Sequence, residues 1–147
     1  MLTGNFTLTY SSAREKKKVT NHVTITKATT NNEDGTKFVI SGLYAAGSKV
    51  GAVADYANNR FNILPLYGVG TYDDGEVSGT IITFSASQAK SIECKINKDG
   101  SITTSDLALY VYFKDESIDG PFDLLQKAKF VKTTSAAKAK SRSAARK

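Results

Sequence analysis

The residues that most often carry chemistry are scarce in this chain of 147 residues, which has one cysteine, one histidine and no tryptophan. A single cysteine cannot form a disulfide bond within the chain. A hydrolytic triad or a histidine-bearing zinc site would have to use His22. The longest apolar runs are far shorter than the roughly 20 residues of a membrane-spanning helix. These scarcities argue against a disulfide-stapled scaffold, a helical membrane protein, and a histidine-based triad or zinc site.

The histidine and the cysteine both lie in stretches where polar and apolar residues alternate. His22 falls on the threonine-rich side of residues 19–27, which indicates an exposed strand position. Cys94 alternates in phase with Ile92 and Ile96, which predicts a buried thiol that packs as a small hydrophobic residue. We therefore expect no enzyme activity, no metal and no cofactor.

The net charge of +6 is concentrated at the C-terminus. Residues 1–132 are nearly neutral, with 15 cations and 14 acids, whereas residues 133–147 have five cations and no acid. We expect residues 1–132 to form one β-barrel domain and residues 133–147 to be a disordered tail, because the tail lacks aromatic and branched apolar residues. The tail is a candidate contact for nucleic acid or another polyanion through Lys138, Lys140, Arg142, Arg146 and Lys147.

Alternation with a period of two predicts strands throughout the domain. Residues 5–12 and 19–27 predict an N-terminal hairpin, and residues 35–67 predict three consecutive strands. The remaining predictions are strands at residues 80–85, 91–97, 101–103, 107–113 and 123–132, with loops at 68–79 and 115–121. Short turns and meander order favour an all-β, antiparallel up-and-down barrel of about 8–10 strands, with a two-sheet sandwich as the alternative.

Two hairpins can be assigned a register. Asn58 and Asn59 predict a two-residue loop, because Asn tolerates the positive φ of a type I′ turn. The pairs would be Ala57 with Arg60, Tyr56 with Phe61, and Ala54 with Ile63. One face of this hairpin would then carry Val50, Ala52, Ala54, Tyr56, Phe61 and Ile63.

In the second hairpin, a three-residue loop that ends in a left-handed Gly100 would set Ile96 opposite Ile102, whereas a two-residue loop would set Asn97 opposite Ile102. We prefer the first, because it places like residues opposite each other. Residues 123–132 are ambiguous, since Leu124, Leu125 and Ala128 also fit a helical turn. We choose a strand, because an all-β chain needs a partner for its open edge. Inward leucine and phenylalanine residues favour a filled barrel.

Residues 39–43, 53–59 and 61–65 resemble the lipocalin-like (calycin-type) barrel domains of Bacteroidetes secreted and surface proteins. The shared pattern is a strand of the form x-I-x-G-L, a strand that ends in Asp before an Asn-rich turn, and a following x-I-x-I-P strand. The resemblance covers residues 5–132, but the chain shows no leader with a lipidated cysteine, and the basic tail has no counterpart. It implies a small barrel without established chemistry, and therefore no catalytic residue.

Aromatic and acidic residues supply the candidate ligand-binding positions. Tyr67 and Tyr72 flank a glycine-rich segment, and Asp73 and Asp74 follow it. Tyrosine rings can stack on a sugar or an apolar ligand. Two groups of acids suit Ca²⁺ or glycosidase chemistry by residue type, but neither matches a calcium-loop spacing: Asp73, Asp74 and Glu76, and Asp115, Glu116 and Asp119.

The sequence predicts a non-enzymatic binding or interaction module of a secreted or surface-associated bacterial protein. Its partner would be a small molecule, a glycan or a protein. The alternative is an intracellular protein that associates with nucleic acid through the tail. A third option is a structural subunit that joins other copies edge to edge. We expect a secreted or surface location if a leader has been removed, and otherwise a cytoplasmic one.

Overall fold

A computed structural model describes residues 2–133, and almost all of its regular structure is antiparallel β-strand. The predicted contacts of the basic tail, from Lys138 to Lys147, lie outside the described residues. Within residues 2–133 no helix has the length and apolarity needed to cross a membrane. The strands are β1 (Gly4–Ser12), β2 (Lys17–Lys27), β3 (Lys37–Ser41), β4 (Lys49–Asp55), β5 (Arg60–Ile63), β6 (Gly68–Asp73), β7 (Ser78–Ser85), β8 (Ile92–Ile96), β9 (Ile102–Thr104), β10 (Leu107–Phe113) and β11 (Ile118–Lys132).

Eight of these strands close into a barrel. The hydrogen-bonded order is β1-β2-β3-β4-β5-β8-β9-β11, and β11 pairs back onto β1 with Phe130 opposite Leu8. All neighbours are antiparallel, so the prediction of an all-β, up-and-down barrel is confirmed, whereas the two-sheet sandwich does not form. Closure gives every barrel strand two partners, which removes the open edge of a flat sheet.

The up-and-down order sorts the connections between the two ends of the barrel. The chain enters β1 and leaves β11 at one end, which we call the proximal end, together with the β2–β3, β4–β5 and β8–β9 connections. The distal end holds the β1–β2 and β3–β4 connections and two longer excursions of the chain. These excursions contain β6, β7 and β10, which form a second sheet with the first part of β11 in the order β6-β7-β10-β11.

Side chains fill the barrel, as the sequence predicts. Inward positions of the barrel strands and the inner face of the second sheet form one continuous apolar cluster. The largest side chains with less than 2% exposure are Phe6, Phe61, Phe130, Leu8, Ile25, Ile40, Leu43, Ile63, Ile92, Ile102, Leu107 and Leu109. A smaller cluster of Ile82, Ala108 and Tyr110 covers the other face of the second sheet.

A bulge in β11 changes which of its side chains point inward. Thr9 of β1 lies opposite Lys129, but Ser11 lies opposite Gln126, so β11 has one extra residue between them. Lys127 takes up the irregularity with a φ of 54°. The strand prediction for residues 123–132 is therefore correct, but inward and outward side chains do not alternate evenly along the strand. Gln126 is exposed, and Leu124 packs on the second sheet.

The predicted Asn58-Asn59 hairpin is wrong by two residues in register. Asp55 lies opposite Arg60, so the connection has four residues and includes a 3₁₀ turn at Tyr56–Asn58. Of the two asparagines only Asn59 is left-handed (φ 54°), whereas a type I′ turn requires two such residues. A shift of two keeps the same side chains inward, but Tyr56 leaves the strand and is 54% exposed.

Two of the predicted loops contain strands. Residues 68–79 include β6 and the start of β7, so Tyr72 lies on a strand and not in a flexible loop. Residues 115–121 include the first residues of β11, which begins at Ile118. By contrast, the β8–β9 hairpin is as predicted: Ile96 lies opposite Ile102, and Gly100 is left-handed with a φ of 87°.

Candidate functional site

The proximal end of the barrel contains a cavity of about 380 Å³, which we call the end pocket. The segment before β1 and three separate connections meet there because the up-and-down order brings them to the same end. The volume lies in the range of about 300–1,000 Å³ that is usual for small-molecule sites. The lining residues are Leu2, Thr3, Lys27, Phe38, Tyr56, Asn59, Ile96 and Gly100.

The walls of the end pocket are mainly apolar. Phe38 is 2% exposed and packs edge-on against Phe61, with ring centroids 5.8 Å apart. Leu2 is 7% exposed, whereas the Tyr56 ring is 54% exposed and can contact both a ligand and water. The pocket therefore joins the packed core to a partly open aromatic rim.

One cation lies at the rim. Lys27 is the last residue of β2, and it is the one lining residue with a positive charge. A Cβ atom added to Gly35 would lie 3.5 Å from the Lys27 ammonium nitrogen, which places that nitrogen beside the β2–β3 connection. The end pocket thus offers apolar walls and a single positive charge at its opening.

The four residues predicted to bind a ligand occupy two separate places. Tyr67 lies against the outer wall of the barrel, where a Cβ on Gly51 would approach its hydroxyl to 2.7 Å. Tyr72 and Asp74 meet at the second sheet, where the Tyr72 hydroxyl donates a hydrogen bond of 3.0 Å to Asp74 Oδ2.

The predicted carboxylates hold the β6–β7 turn. Asp73 accepts a hydrogen bond from the Gly75 N–H, and Asp74 Oδ1 accepts two from the N–H groups of Val77 and Glu76. The latter two bonds lower the pKa of Asp74, and the Tyr72 hydroxyl lowers it further. These carboxylates therefore have turn-forming partners, and a ligand role for Tyr67, Tyr72, Asp73 and Asp74 stays a prediction.

A buried polar network fastens the distal end. Asp123 of β11 is 3% exposed and accepts hydrogen bonds from Ser12 Oγ (2.8 Å) and from the Arg14 N–H (3.0 Å). The Arg14 guanidinium carbon lies 4.1 Å from the centre of the Phe122 ring, which is a cation–π geometry. The Phe122 ring also meets Tyr44 and Tyr72 edge-on. The β1–β2 turn is thereby tied to β11.

Tyr10 lies near this network and gives it a pH dependence. Burial raises the pKa of the Tyr10 phenol to about 12, and the Asp123 carboxylate adds to the rise. The folded state therefore holds the proton more tightly than the unfolded chain, so this stabilisation is complete below pH 10 and is lost as the pH rises through about 12.

We expect Tyr10→Phe to lose less stability than the wild type over this interval, as measured by urea denaturation at several alkaline pH values. Equal losses for the two proteins would contradict the role of Tyr10.

The single histidine and the single cysteine lie where the sequence predicts. His22 is exposed on β2 opposite Thr7, and Cys94 is 1% exposed in the core. Burial raises the pKa of the Cys94 thiol to about 12, which disfavours the reactive thiolate. Across residues 2–133 no group of three or more His, Cys, Asp or Glu side chains is arranged to hold a metal ion.

Comparison with known proteins returns no matching protein-family model, no matching curated protein and no matching solved structure. The class of the protein is therefore defined by its fold alone. It is a closed, eight-stranded antiparallel β-barrel, consistent with a calycin-like fold.

Sequence reasoning missed the end pocket. Alternation along each strand identifies the inward side chains, but it does not reveal that strand ends far apart in sequence leave a cavity between them. Tyr56, placed inward by the register that the structure corrects, is in fact the exposed wall of the pocket. The usable signal is the strand direction: in an up-and-down barrel every second connection lies at the same end.

Proposed function

We propose that this protein is a non-enzymatic binding module whose end pocket takes a small ligand with an apolar body and one acidic group. The observation that carries the proposal is the combination of apolar walls around Phe38 with the single cation, Lys27, at the rim. An apolar group that leaves water for the pocket contributes roughly 25 cal/mol per Å² of buried surface. A pair with the partly solvated ammonium adds about 1 kcal/mol or less. Shape and apolar contact would therefore set the affinity, and Lys27 would set the preference for anions.

The rest of the barrel supports a ligand at this end over one deep in the interior. The inward positions form one packed cluster around Phe6, Phe61 and Phe130, each with no exposed surface. A central ligand would have to displace these side chains. The end pocket needs no such displacement, and Tyr56 at its rim is 54% exposed.

Two parts of the proposal rest on the sequence alone. The resemblance of residues 39–65 supports the lipocalin-like identity. It also supports the assignment to a secreted or surface-associated bacterial protein. Association with nucleic acid through Lys138 to Lys147 stays the alternative prediction, since residues 134–147 lie outside the described chain.

The test compares octanoate and decanoate with the matching alcohols by calorimetry and by NMR titration. We expect saturable binding of both series, with the carboxylate about fivefold tighter because of Lys27. Lys27→Met should remove that difference, and Tyr56→Ala should weaken both ligands. The matched control is Tyr112→Ala, which removes another partly exposed tyrosine, on the second sheet. The proposal fails if neither series saturates, or if Tyr56→Ala and Tyr112→Ala behave alike.

A further inference from the structure

The outer wall of the barrel carries a second concave surface, a groove of about 540 Å³ across β5, β8, β9 and β11. Four cations line this basic groove, against one acid, Glu93. The domain as a whole is nearly neutral, with 15 cations and 14 acids in residues 1–132. Positive charge is therefore gathered at this surface. The cations are Arg60, Lys95, Lys127 and Lys129.

Strand pairing sets three of these cations in a row across the barrel wall. Arg60 lies directly opposite Lys95, Lys95 opposite Thr103, and Thr103 opposite Lys129. With neighbouring strands about 4.8 Å apart, the row spans about 14 Å at right angles to the strands. Lys127 lies two residues from Lys129, at the β11 bulge. The basic groove thus offers positive charges at repeated short intervals.

This arrangement opposes the stability of the free protein. Like charges directly opposite each other on paired strands destabilise a sheet, as Arg60 and Lys95 do here. Glu93 offsets the repulsion only weakly, because its ion pair with Arg60 is 3.9 Å long and the Glu93 side chain is 71% exposed. Asp55 of β4 also lies opposite Arg60, so the fold neutralises part of this charge, and an anionic partner would neutralise more of it.

We propose that the basic groove binds the sugar–phosphate backbone of a nucleic acid, independently of the end pocket. Phosphates repeat along such a chain, and each can meet an Arg60 fork or a lysine ammonium, while Thr103 and Ser105 add hydroxyl donors. The groove lining contains no aromatic side chain on which a base could stack. Recognition is therefore of the backbone and does not depend on base sequence.

The experiment measures binding of fluorescein-labelled 20-nucleotide single strands by anisotropy, with the full chain, across a salt series. The groove variant is Lys95→Gln with Lys129→Gln. We expect its affinity to fall about tenfold or more, and the slope of log affinity against log salt to drop by about 1.4, since each lost phosphate contact removes about 0.7. Mixed-sequence and oligo-dT strands should bind alike.

The matched control is Lys37→Gln with Lys49→Gln, which removes the same charge from exposed positions on β3 and β4. Its affinity should stay within twofold of the wild type. A third variant has glutamine in place of the five tail cations and should retain groove-dependent binding. The proposal is overturned if the groove and control variants bind alike. It is also overturned if only the tail variant loses affinity, or if heparin binds and the oligonucleotides do not.

Discussion

Replacing Phe130 by alanine should lower the free energy of unfolding by about 3–5 kcal/mol, the usual loss for a fully buried phenylalanine. Phe130 has no exposed surface and lies opposite Leu8 on β1 and Ile102 on β9, so it packs where β11 closes the barrel. The loss combines the transfer free energy of the ring with the cavity it leaves, which the closed wall cannot collapse to fill. Because domains are stable by only about 5–15 kcal/mol, this is a large share of the total. Urea denaturation followed by far-ultraviolet circular dichroism measures it.

The control for this prediction lies at the next residue. Val131 is on the same strand but is 45% exposed, and Val131→Ala should cost less than about 1 kcal/mol. Phe130→Leu, which keeps part of the volume, should fall between the two alanine variants and remains measurable if Phe130→Ala does not fold. Similar losses at positions 130 and 131 would show that Phe130 does not pack at the closure.

Most of the barrel could be predicted from alternation, because a period of two fixes which side chains point inward. Phe6, Leu8 and Tyr10 alternate along β1, Phe38 and Ile40 alternate along β3, and all five are buried. Even the wrong register of the β4–β5 hairpin kept the inward residues of both strands, since a shift of two preserves the face. The tight β8–β9 turn was also predictable, because its left-handed residue is a glycine, Gly100.

The elements of the fold that were predicted wrongly have no such local signal in the sequence. β6 contains Gly68 and Gly70, and glycine lowers strand propensity, while Val69 is the one fully buried residue of this strand. The β11 bulge depends on a left-handed Lys127. Lysine rarely adopts this conformation, so the sequence contains no signal for the bulge. The use of one strand in two sheets is likewise a long-range property, set by how β1 and β10 both reach β11.

The two candidate binding surfaces are long-range features for the same reason. The basic groove joins cations from β5, β8 and β11, and Arg60 and Lys129 are 69 positions apart in sequence. Net charge pointed only to the tail, because the domain's 15 cations and 14 acids nearly cancel when they are counted along the chain. The pairing register of the strands shows that cations outnumber acids in the basic groove.

The second large effect is expected at Asp123, where leucine in place of the carboxylate should cost about 3 kcal/mol. Asp123 is 3% exposed, and its oxygens accept hydrogen bonds from Ser12 Oγ and the Arg14 N–H. Asp123→Leu removes the acceptors, which costs about 1–3 kcal/mol for the buried Ser12 hydroxyl and less for the part-buried Arg14 N–H. Ser12 Oγ also accepts a hydrogen bond from the Glu15 N–H, so the β1–β2 turn should loosen as well. Urea denaturation gives the stability, and amide hydrogen exchange in residues 13–16 reports the turn.

Asp123→Asn separates this effect from the loss of charge. An asparagine amide keeps one oxygen for the Arg14 N–H, and its NH₂ can donate to Ser12 Oγ, so the cost should be about 1 kcal/mol. Asp119→Leu, at an exposed position on the same strand, should change stability by about 0.5 kcal/mol or less and leave exchange in the turn unaltered. If Asp123→Leu is no worse than Asp119→Leu, the carboxylate does not fasten the turn, and the apolar contacts of Phe122 with Tyr44 and Tyr72 hold the distal end instead.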